Sequence, residues 1–407
     1  MAALAGREIV LGVTGSIAAY KAVYLLRELI RLGAGVTVAL TEHAQRFVGE
    51  LTWRTLSARP VLSDLFDPQA DAAVEHVLVA QRAHGFIVAP ATANLLAKAA
   101  HGISDDFLTT LLLATRAPVL LVPAMDGGMW EHPAVQSNVA TLRARGYAVM
   151  EPETGPLASG LSGVGRFPET EAILEATQIL LSPVKDLAED RMLITSGPTR
   201  EPLDPVRYIS NRSSGKMGYA LAVAALRRGA RVIFVSGPTS FRPPTGARYV
   251  PIQTAEEMRE AVLQEFPDAT IVVMAAAVAD YRPKAPSPVK IKSKQQGVAI
   301  ELAPNPDILR EIAAGNRQAF LVGFAAETHE VTAHARGKLD SKGIDLLVVN
   351  DVSRTGIGFE SDDNQVALLD RWGGAIELPR MPKLEVAHAI YDRALSLRAT
   401  HPERVPR

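Results

Sequence analysis

Cysteine is absent from the 407 residues, which removes disulfides, thiolate zinc sites and cysteine nucleophiles together. Neither sign of charge is in excess. Lys plus Arg number 43 against 44 Asp plus Glu, a formal net charge of −1, so no basic face of the size nucleic acid needs is implied. No run approaches the roughly 18 apolar residues of a membrane span. The start, Met1-Ala-Ala-Leu-Ala-Gly-Arg-Glu, lacks a basic segment followed by a long apolar core. A cytoplasmic protein without nucleic-acid or membrane partners is therefore expected. Fixed-period repeats and low-complexity tracts are missing too. What remains is a chain too long for one ordinary core, and two domains of about 200 residues each are expected.

Hydrophobic patterning divides the chain into two α/β series. Residues 7–13 read as a buried parallel strand, Thr14-Gly-Ser16 as a tight turn, residues 17–32 as a helix closed by Gly33, and residues 36–40 as the next strand. The pattern recurs at Gly85-Phe-Ile-Val-Ala-Pro90, before a helix from about Asn94, and at Pro118-Val-Leu-Leu-Val-Pro-Ala124. It breaks around Leu181-Ser-Pro-Val-Lys-Asp-Leu187 and restarts at Met192, which places the domains at residues 1–184 and 187–407. In the second domain, strands are expected at residues 231–235, 270–275, 320–324 and 346–349, and a hairpin of 366–370 with 375–378 around Trp372-Gly-Gly374. Doubly wound sheets of this kind take ligands at strand C-termini.

Two loops stand where such ligands would lie. Gly12-Val-Thr-Gly-Ser-Ile-Ala18 follows a strand and opens a helix without the G-x-G-x-x-G spacing, so it suits a single phosphate better than a dinucleotide; a plain strand–helix turn is the other reading. Thr41 and Pro90-Ala-Thr-Ala-Asn94 add hydroxyl and amide groups on the same sheet edge, as a mononucleotide cleft would. In the second half, Asn211-Arg-Ser-Ser-Gly-Lys-Met-Gly218 precedes a helix over about residues 219–228. A Ser/Gly-rich loop there gathers backbone N–H groups and the positive helix end beside Ser213, Ser214 and Lys216, which suits a phosphate. The alternative is an N-cap behind a flexible loop. The spacing is not that of a Walker P-loop. Asp280, ending the strand Val273-Met-Ala-Ala-Ala-Val-Ala-Asp280, either faces a nucleotide or metal or caps a turn, and Lys290-Ile-Lys-Ser-Lys294 sits in a Pro-rich stretch where lysines are usually solvated.

The whole segment from Thr195 to Gly218 closely resembles the signature of bacterial phosphopantothenate–cysteine ligase, a domain usually fused behind a flavin-dependent phosphopantothenoylcysteine decarboxylase. Ala275-Ala-Ala-Val-Ala-Asp-Tyr-Arg282, Lys290-Ile-Lys292 and Gly323-Phe-Ala-Ala-Glu327 match the ligase as well. Residues 6–180 are similar to the homo-oligomeric flavin-containing cysteine decarboxylases through Gly15-Ser-Ile-Ala18, Ala89-Pro-Ala-Thr-Ala-Asn94, Ser104-Asp-Asp106 and Pro123-Ala-Met125. The resemblance implies two doubly wound α/β domains, a flavodoxin-like flavoprotein domain followed by a Rossmann-like ligase domain, and a homo-oligomer through both. It implies FMN on Gly15, Ser16, Ile17, Thr41, Thr92, Asn94 and Ser104, with His76 catalytic. It implies 4′-phosphopantothenate on Asn211, Ser213, Gly215, Lys216, Ala275 and Ala276, and CTP on Asp280, Lys290, Phe324, Lys338 and Lys342. By the same resemblance this is a bifunctional coenzyme A biosynthesis enzyme. The acid's carboxylate attacks the α-phosphate of CTP, cysteine's amine then takes the acyl group from the acyl-cytidylate, and the product is decarboxylated with FMN. Mg²⁺, whose ligands the sequence leaves unassigned, and Lys290 meet the charge that builds in the first step, with Asn211 also in the catalytic set.

Two positions depart from the family. Its Pro-Ala-Met-Asn motif, whose Asn contacts the substrate carboxylate, reads Pro123-Ala-Met-Asp126, and its flap cysteine is replaced by Ser159 in Leu157-Ala-Ser-Gly-Leu-Ser-Gly-Val-Gly-Arg166. Serine is a far weaker acid than cysteine. A protonated Asp126 can donate the hydrogen bond that Asn would supply, and Asp126 and Ser159 are both candidate acids. The alternative is a ligase whose front half is a decarboxylation-deficient flavin-binding scaffold.

Overall fold

A computed structural model describes residues 3–66, 75–292, 299–315, 318–327, 331–351 and 361–402. The end of the lysine-bearing stretch, Ser293 and Lys294, lies outside them. The chain separates into two compact units, Met1–Ser182 and Pro183–Arg407. No helix among the described residues is long and apolar enough to cross a membrane.

The first unit is built on a parallel sheet of β1 (Glu8–Val13), β2 (Gly35–Leu40), β3 (Val61–Leu62), β4 (Gly85–Ala91), β5 (Val119–Pro123) and β6 (Ala148–Val149), in the order β3-β2-β1-β4-β5-β6. Continuous apolar runs such as Val119-Leu-Leu-Val-Pro123 belong at the middle of such a sheet because helices cover both faces, and all five of these residues are buried. The helix Ala19–Arg31 buries Ala19, Ala22, Leu25, Leu26 and Leu29, one stripe at helical spacing. Strand order reverses between β1 and β4, where doubly wound sheets open a crevice. There the Thr14 hydroxyl donates to Pro90 O at 2.7 Å and accepts from Thr92 N at 3.1 Å, tying the two strand ends together. A hairpin of β7 (Glu153–Pro156) and β8 (Ser162–Arg166), which the strand pattern of the sequence had not separated from a loop, follows the main sheet.

The second unit repeats the winding. Its sheet contains β9 (Arg191–Ser196), β12 (Arg231–Ser236), β13 (Arg248–Pro251), β14 (Ile271–Met274), β17 (Phe320–Glu327), β18 (Leu346–Asp351), β20 (Val366–Asp370) and β21 (Ala375–Glu377), ordered β13-β12-β9-β14-β17-β18-β20-β21. The last two strands run antiparallel and form the expected hairpin around Trp372-Gly-Gly374. Three small hairpins pair β10 (Arg200–Pro202) with β11 (Tyr208–Ser210), β15 (Tyr281–Pro283) with β16 (Leu302–Pro304), and β19 (Asp363–Asn364) with β22 (Met381–Pro382). The reversal falls between β9 and β14.

The C-terminal helix Lys383–Thr400 closes this unit against the helix Lys216–Arg227, with the buried Tyr391 hydroxyl donating to Leu221 O at 2.8 Å. Arg228, at the end of the latter helix, has its side chain 5 % exposed; it donates to Asp186 at 2.7 Å, to Asp392 at 2.7 Å and to His388 O at 3.1 Å. It thus fastens the first residues of the unit to the last. The hydrogen bond from Arg228 holds the Asp186 carboxyl below its usual range, against a smaller opposing effect of burial. Arg228→Ala should cost about 2 kcal/mol, below the range for a fully buried pair because Asp186 and Asp392 are partly solvated. A carboxylate with a lowered folded-state pKa stabilises above its unfolded value, so the loss should be complete above about pH 5 and shrink as pH falls through the lowered value. Urea unfolding of both proteins at pH 7 and pH 3.5 reads this directly.

Candidate functional site

At the β9/β14 reversal of the second unit lies a cavity of about 580 Å³. Its floor is made by strand ends. Ala276 N donates to the Thr195 hydroxyl at 3.2 Å, Ala277 N to Gly197 O at 2.9 Å, and Ala279 N to the Thr199 hydroxyl at 3.0 Å, which zips residues 276–279 to the turn after β9. The Asn211 side-chain amide donates to Ala277 O at 3.4 Å and Val278 O at 2.9 Å, bringing the 211–218 loop onto the same segment. Gly215, at φ +78°, is the N-cap of the helix Lys216–Arg227, and a Cβ on Gly218 would stand 2.4 Å from the Ser196 hydroxyl. Only glycine lets the helix start this close to the end of β9. The Ser213 and Ser214 hydroxyls accept from Gly215 N at 3.3 Å and Lys216 N at 3.4 Å.

All the residues expected to bind the acid, Asn211, Ser213, Gly215, Lys216, Ala275 and Ala276, line this cavity, and so do Asp280, Phe324, Lys338 and Lys342 of the nucleotide set. Lys290 does not. It is exposed, on a stretch docked elsewhere: Ile291 N donates to Asp204 at 3.1 Å, and Arg207 donates to Ile291 O at 2.5 Å. Burial alone would raise the Asp204 pKa, but N–H donors from Val206, Ile291 and Arg207 bring it down to about 2. The sequence reading missed Asn305, Asp307, Asn350, Asn364 and Lys383, which also line the cavity. Asp307, the N-cap of the helix Ile308–Ala314, follows a Pro in a polar turn and could have been found by its helix-start pattern. Lys383 heads an ordinary-looking helix and gave no signal.

A second cavity, of about 390 Å³, belongs to the first unit. Ser16, Ile17, Tyr20 and Lys21 from the start of the first helix line it, with Met125 and Asp126 after β5, and Leu157, Ser159, Arg166 and Phe167 from the β7–β8 hairpin and its flank. The hairpin approaches closely: Met125 N donates to Gly165 O at 3.0 Å, and a Cβ on Gly165, at φ +134°, would stand 2.2 Å from Met125 O. The two residues that depart from the family motifs meet here. The Ser159 hydroxyl donates to Asp126 Oδ2 at 2.7 Å, and Asp126 Oδ1 accepts from Gly128 N at 3.3 Å. Asp126 and Ser159 thus form one hydrogen-bonded pair facing the cavity, with the Gly128 N–H on the other carboxyl oxygen.

Of the expected flavin-contacting residues, Ser16 and Ile17 line this cavity. Gly15, Thr41 and Thr92 cluster beside it at the strand ends: a Cβ on Gly15 would meet His43 Cβ at 2.4 Å, Thr41 N donates to Val13 O at 3.1 Å, and Thr92 caps the helix Ala93–His101. Asn94 and Ser104 are exposed and do not line it. His76, on the helix Glu75–Arg82, is half-buried with its ring edge-on to Phe107 at 6.5 Å, away from the cavity lining.

Two crevices, each beyond strand C-termini of a doubly wound sheet, fit an α/β enzyme of two parts, a flavoprotein followed by a pantothenate-metabolism domain. Residues 2–182 match the family model described as flavoprotein, and residues 187–397 match the DNA/pantothenate metabolism flavoprotein C-terminal domain. The chain is 44 % identical over 410 residues to the coenzyme A biosynthesis bifunctional protein CoaBC of Bacillus subtilis, covering 98 % of this chain and 100 % of that protein. It is 46 % identical to the protein of the same description from Escherichia coli, with 90 % and 91 % covered. A crystal structure of the C-terminal domain of a coenzyme A biosynthesis bifunctional protein aligns at 41 % identity and a TM-score of 0.46, covering 53 % of this chain and 99 % of that one. The chain belongs to the family of coenzyme A biosynthesis bifunctional proteins, with a decarboxylase part in the flavoprotein domain and a ligase part in the C-terminal domain.

Proposed function

We propose that the cavity of the second unit joins cysteine to 4′-phosphopantothenate through an acyl-cytidylate, and that the cavity of the first unit decarboxylates the product. The observation that carries the ligase reading is the meeting, in one cavity, of the Asn211–Lys216 loop with Ala275, Ala276, Asp280, Phe324, Lys338 and Lys342, from four separate stretches of chain. In this reading the helix start and Lys216 take the phosphate of the acid, Asn211 orders the 276–279 segment under its carboxylate, and Lys338 and Lys342 face the triphosphate. Negative charge accumulates on the α-phosphoryl oxygens as the carboxylate attacks, and cations fixed in place beforehand lower that barrier. Lys342 is already oriented by Asp307 at 3.4 Å. Among the described residues no group of three His, Asp or Glu converges as a metal cage. Mg²⁺ arriving on a triphosphate needs only one or two carboxylates, and Asp280 and Asp307 fit that role. Lys290 enters the reaction, in this reading, when the stretch it stands on leaves the contact that Ile291 makes with Asp204.

The first cavity fits FMN by its donor set: a helix start with Ser16 and Lys21 for the phosphate, and Ile17, Tyr20 and Phe167 as apolar surface for the ring. Bound there, FMN would supply reversible two-electron oxidation of the substrate's thiol end. The protein supplies position and protons. The Ser159–Asp126 pair relays the proton to the carbon that has lost CO₂, Ser159 passing on its own proton as it takes one from the acid form of Asp126 or from water, so that no alkoxide is left. Arg166, paired with Glu169 at 2.5 Å, anchors the base of the flap. His76 keeps its assigned catalytic role in this reading by family resemblance. The protein works in the cytoplasm as a homo-oligomer. Separate measurement of pyrophosphate and CO₂ from 4′-phosphopantothenate, CTP and cysteine tests both halves. Pyrophosphate without CO₂ from fully flavin-loaded protein would leave the first unit a scaffold.

A further inference from the structure

Lys383 is the first residue of the C-terminal helix, far along the chain from the 211–218 loop, yet it lines the same cavity. It is 6 % exposed, and lysine is almost never buried to that degree without a partner. Its ammonium donates to the carbonyl oxygens of Ser361 and of Asp363, the latter at 3.2 Å. Both acceptors are neutral, so the bonds order the turn over residues 361–364 without cancelling the charge, and an ammonium has three protons to give. Between those two carbonyls stands Asp362, whose carboxylate lies 2.6 Å from Lys216 Nζ although its own side chain is 89 % exposed. The same turn contributes Asn364 to the cavity wall. Burial, and after it the charge of Lys216, push the Lys383 pKa down, while Asp362 and Asp363 oppose them, so the two ammonium groups act on one another.

An exposed carboxylate resting on one of two neighbouring cations at a cavity edge is the arrangement of an anion site with an internal occupant. A phosphate monoester carries close to two negative charges at neutral pH, more than one lysine and a helix start neutralise. We propose that Lys383 and Lys216 together form a two-cation seat for the phosphate of the acid substrate, and that Asp362 holds Lys216 until that phosphate displaces it. The inference rests on the reading that the 211–218 loop takes the phosphate end. It makes Lys383 a determinant of preference for the phosphorylated acid over the free one.

The test is steady-state pyrophosphate release by the full-length protein at saturating CTP and cysteine, with 4′-phosphopantothenate and pantothenate varied in parallel. Lys383→Met should raise KM for the phosphorylated acid about 10- to 100-fold, the size of one lost charge-assisted hydrogen bond, and leave kcat/KM for pantothenate and KM for CTP within about threefold. Lys383→Arg should fall between. Asp362→Asn, at an exposed position safe for folding, should lower KM for the phosphorylated acid about two- to threefold by removing the internal competitor. Equal losses on both acids in Lys383→Met would make Lys383 purely structural and overturn the proposal. If that variant does not fold, Asp362→Asn decides, and an unchanged or raised KM overturns it. A wild-type protein with no preference for the phosphorylated acid would instead overturn the reading of the 211–218 loop on which the proposal stands.

Discussion

Asn211→Asp should abolish pyrophosphate release while leaving flavin binding intact. Two effects act together. The amide of Asn211 donates to Ala277 O and Val278 O, and an aspartate there offers two acceptors to two acceptors, costing the hydrogen bonds and loosening the 276–279 segment. A carboxylate about 4 Å from the substrate's own adds roughly 4 kcal/mol of repulsion at an effective dielectric near 20, close to a thousandfold in binding. The combined loss in kcat/KM should therefore exceed about 10³-fold. Nothing in the first unit changes, so the flavin absorbance of the purified variant should match the wild type. Pyrophosphate release within tenfold of wild type would remove Asn211 from the ligase site.

Ser159→Ala should separate the two chemical stages of the first unit. Loss of CO₂ precedes protonation of carbon, so a variant without the proton donor should still release CO₂ in a first turnover while formation of the saturated thiol product falls about 10²- to 10⁴-fold. Asp126→Ala should fall in the same direction, because Ser159 is oriented by its 2.7 Å bond to Asp126. Ser159→Cys should restore or exceed wild-type product formation, since a thiol is the stronger acid. Rapid-quench measurement of CO₂ and product in the three variants decides. Wild-type product formation by Ser159→Ala would assign the proton to another group.

Sequence alone carried the winding of both units, because parallel strands buried on two faces leave long apolar runs that glycine-closed helices separate. The small hairpins escaped it. Glu153–Pro156 and Ser162–Arg166 alternate poorly and are rich in glycine, so no period marks them as strands. The same division runs through the sites. Asn211, Lys216 and Asp280 stand in dense motifs at strand or helix ends, where topology brings loops together, and they do meet in one cavity. Lys383 is supplied by the far end of the chain, and nothing local distinguishes it from a solvated helix start. Lys290 shows the converse: its motif is legible, while the place of its stretch is set by the bond of the neighbouring Ile291 N–H to Asp204, 87 positions away, a pairing that only the fold reveals. The Ser159–Asp126 bond joins two separate departures from the family motifs in one contact, which their 33-residue separation in sequence does not suggest.

The central claim is that one chain performs both reactions in succession. Purified full-length protein given 4′-phosphopantothenate, CTP and cysteine, with pyrophosphate and CO₂ followed separately, should release one pyrophosphate for each acid consumed and then CO₂ in equal amount after a lag. Absence of pyrophosphate, or pyrophosphate with no CO₂ at full flavin occupancy, would contradict it.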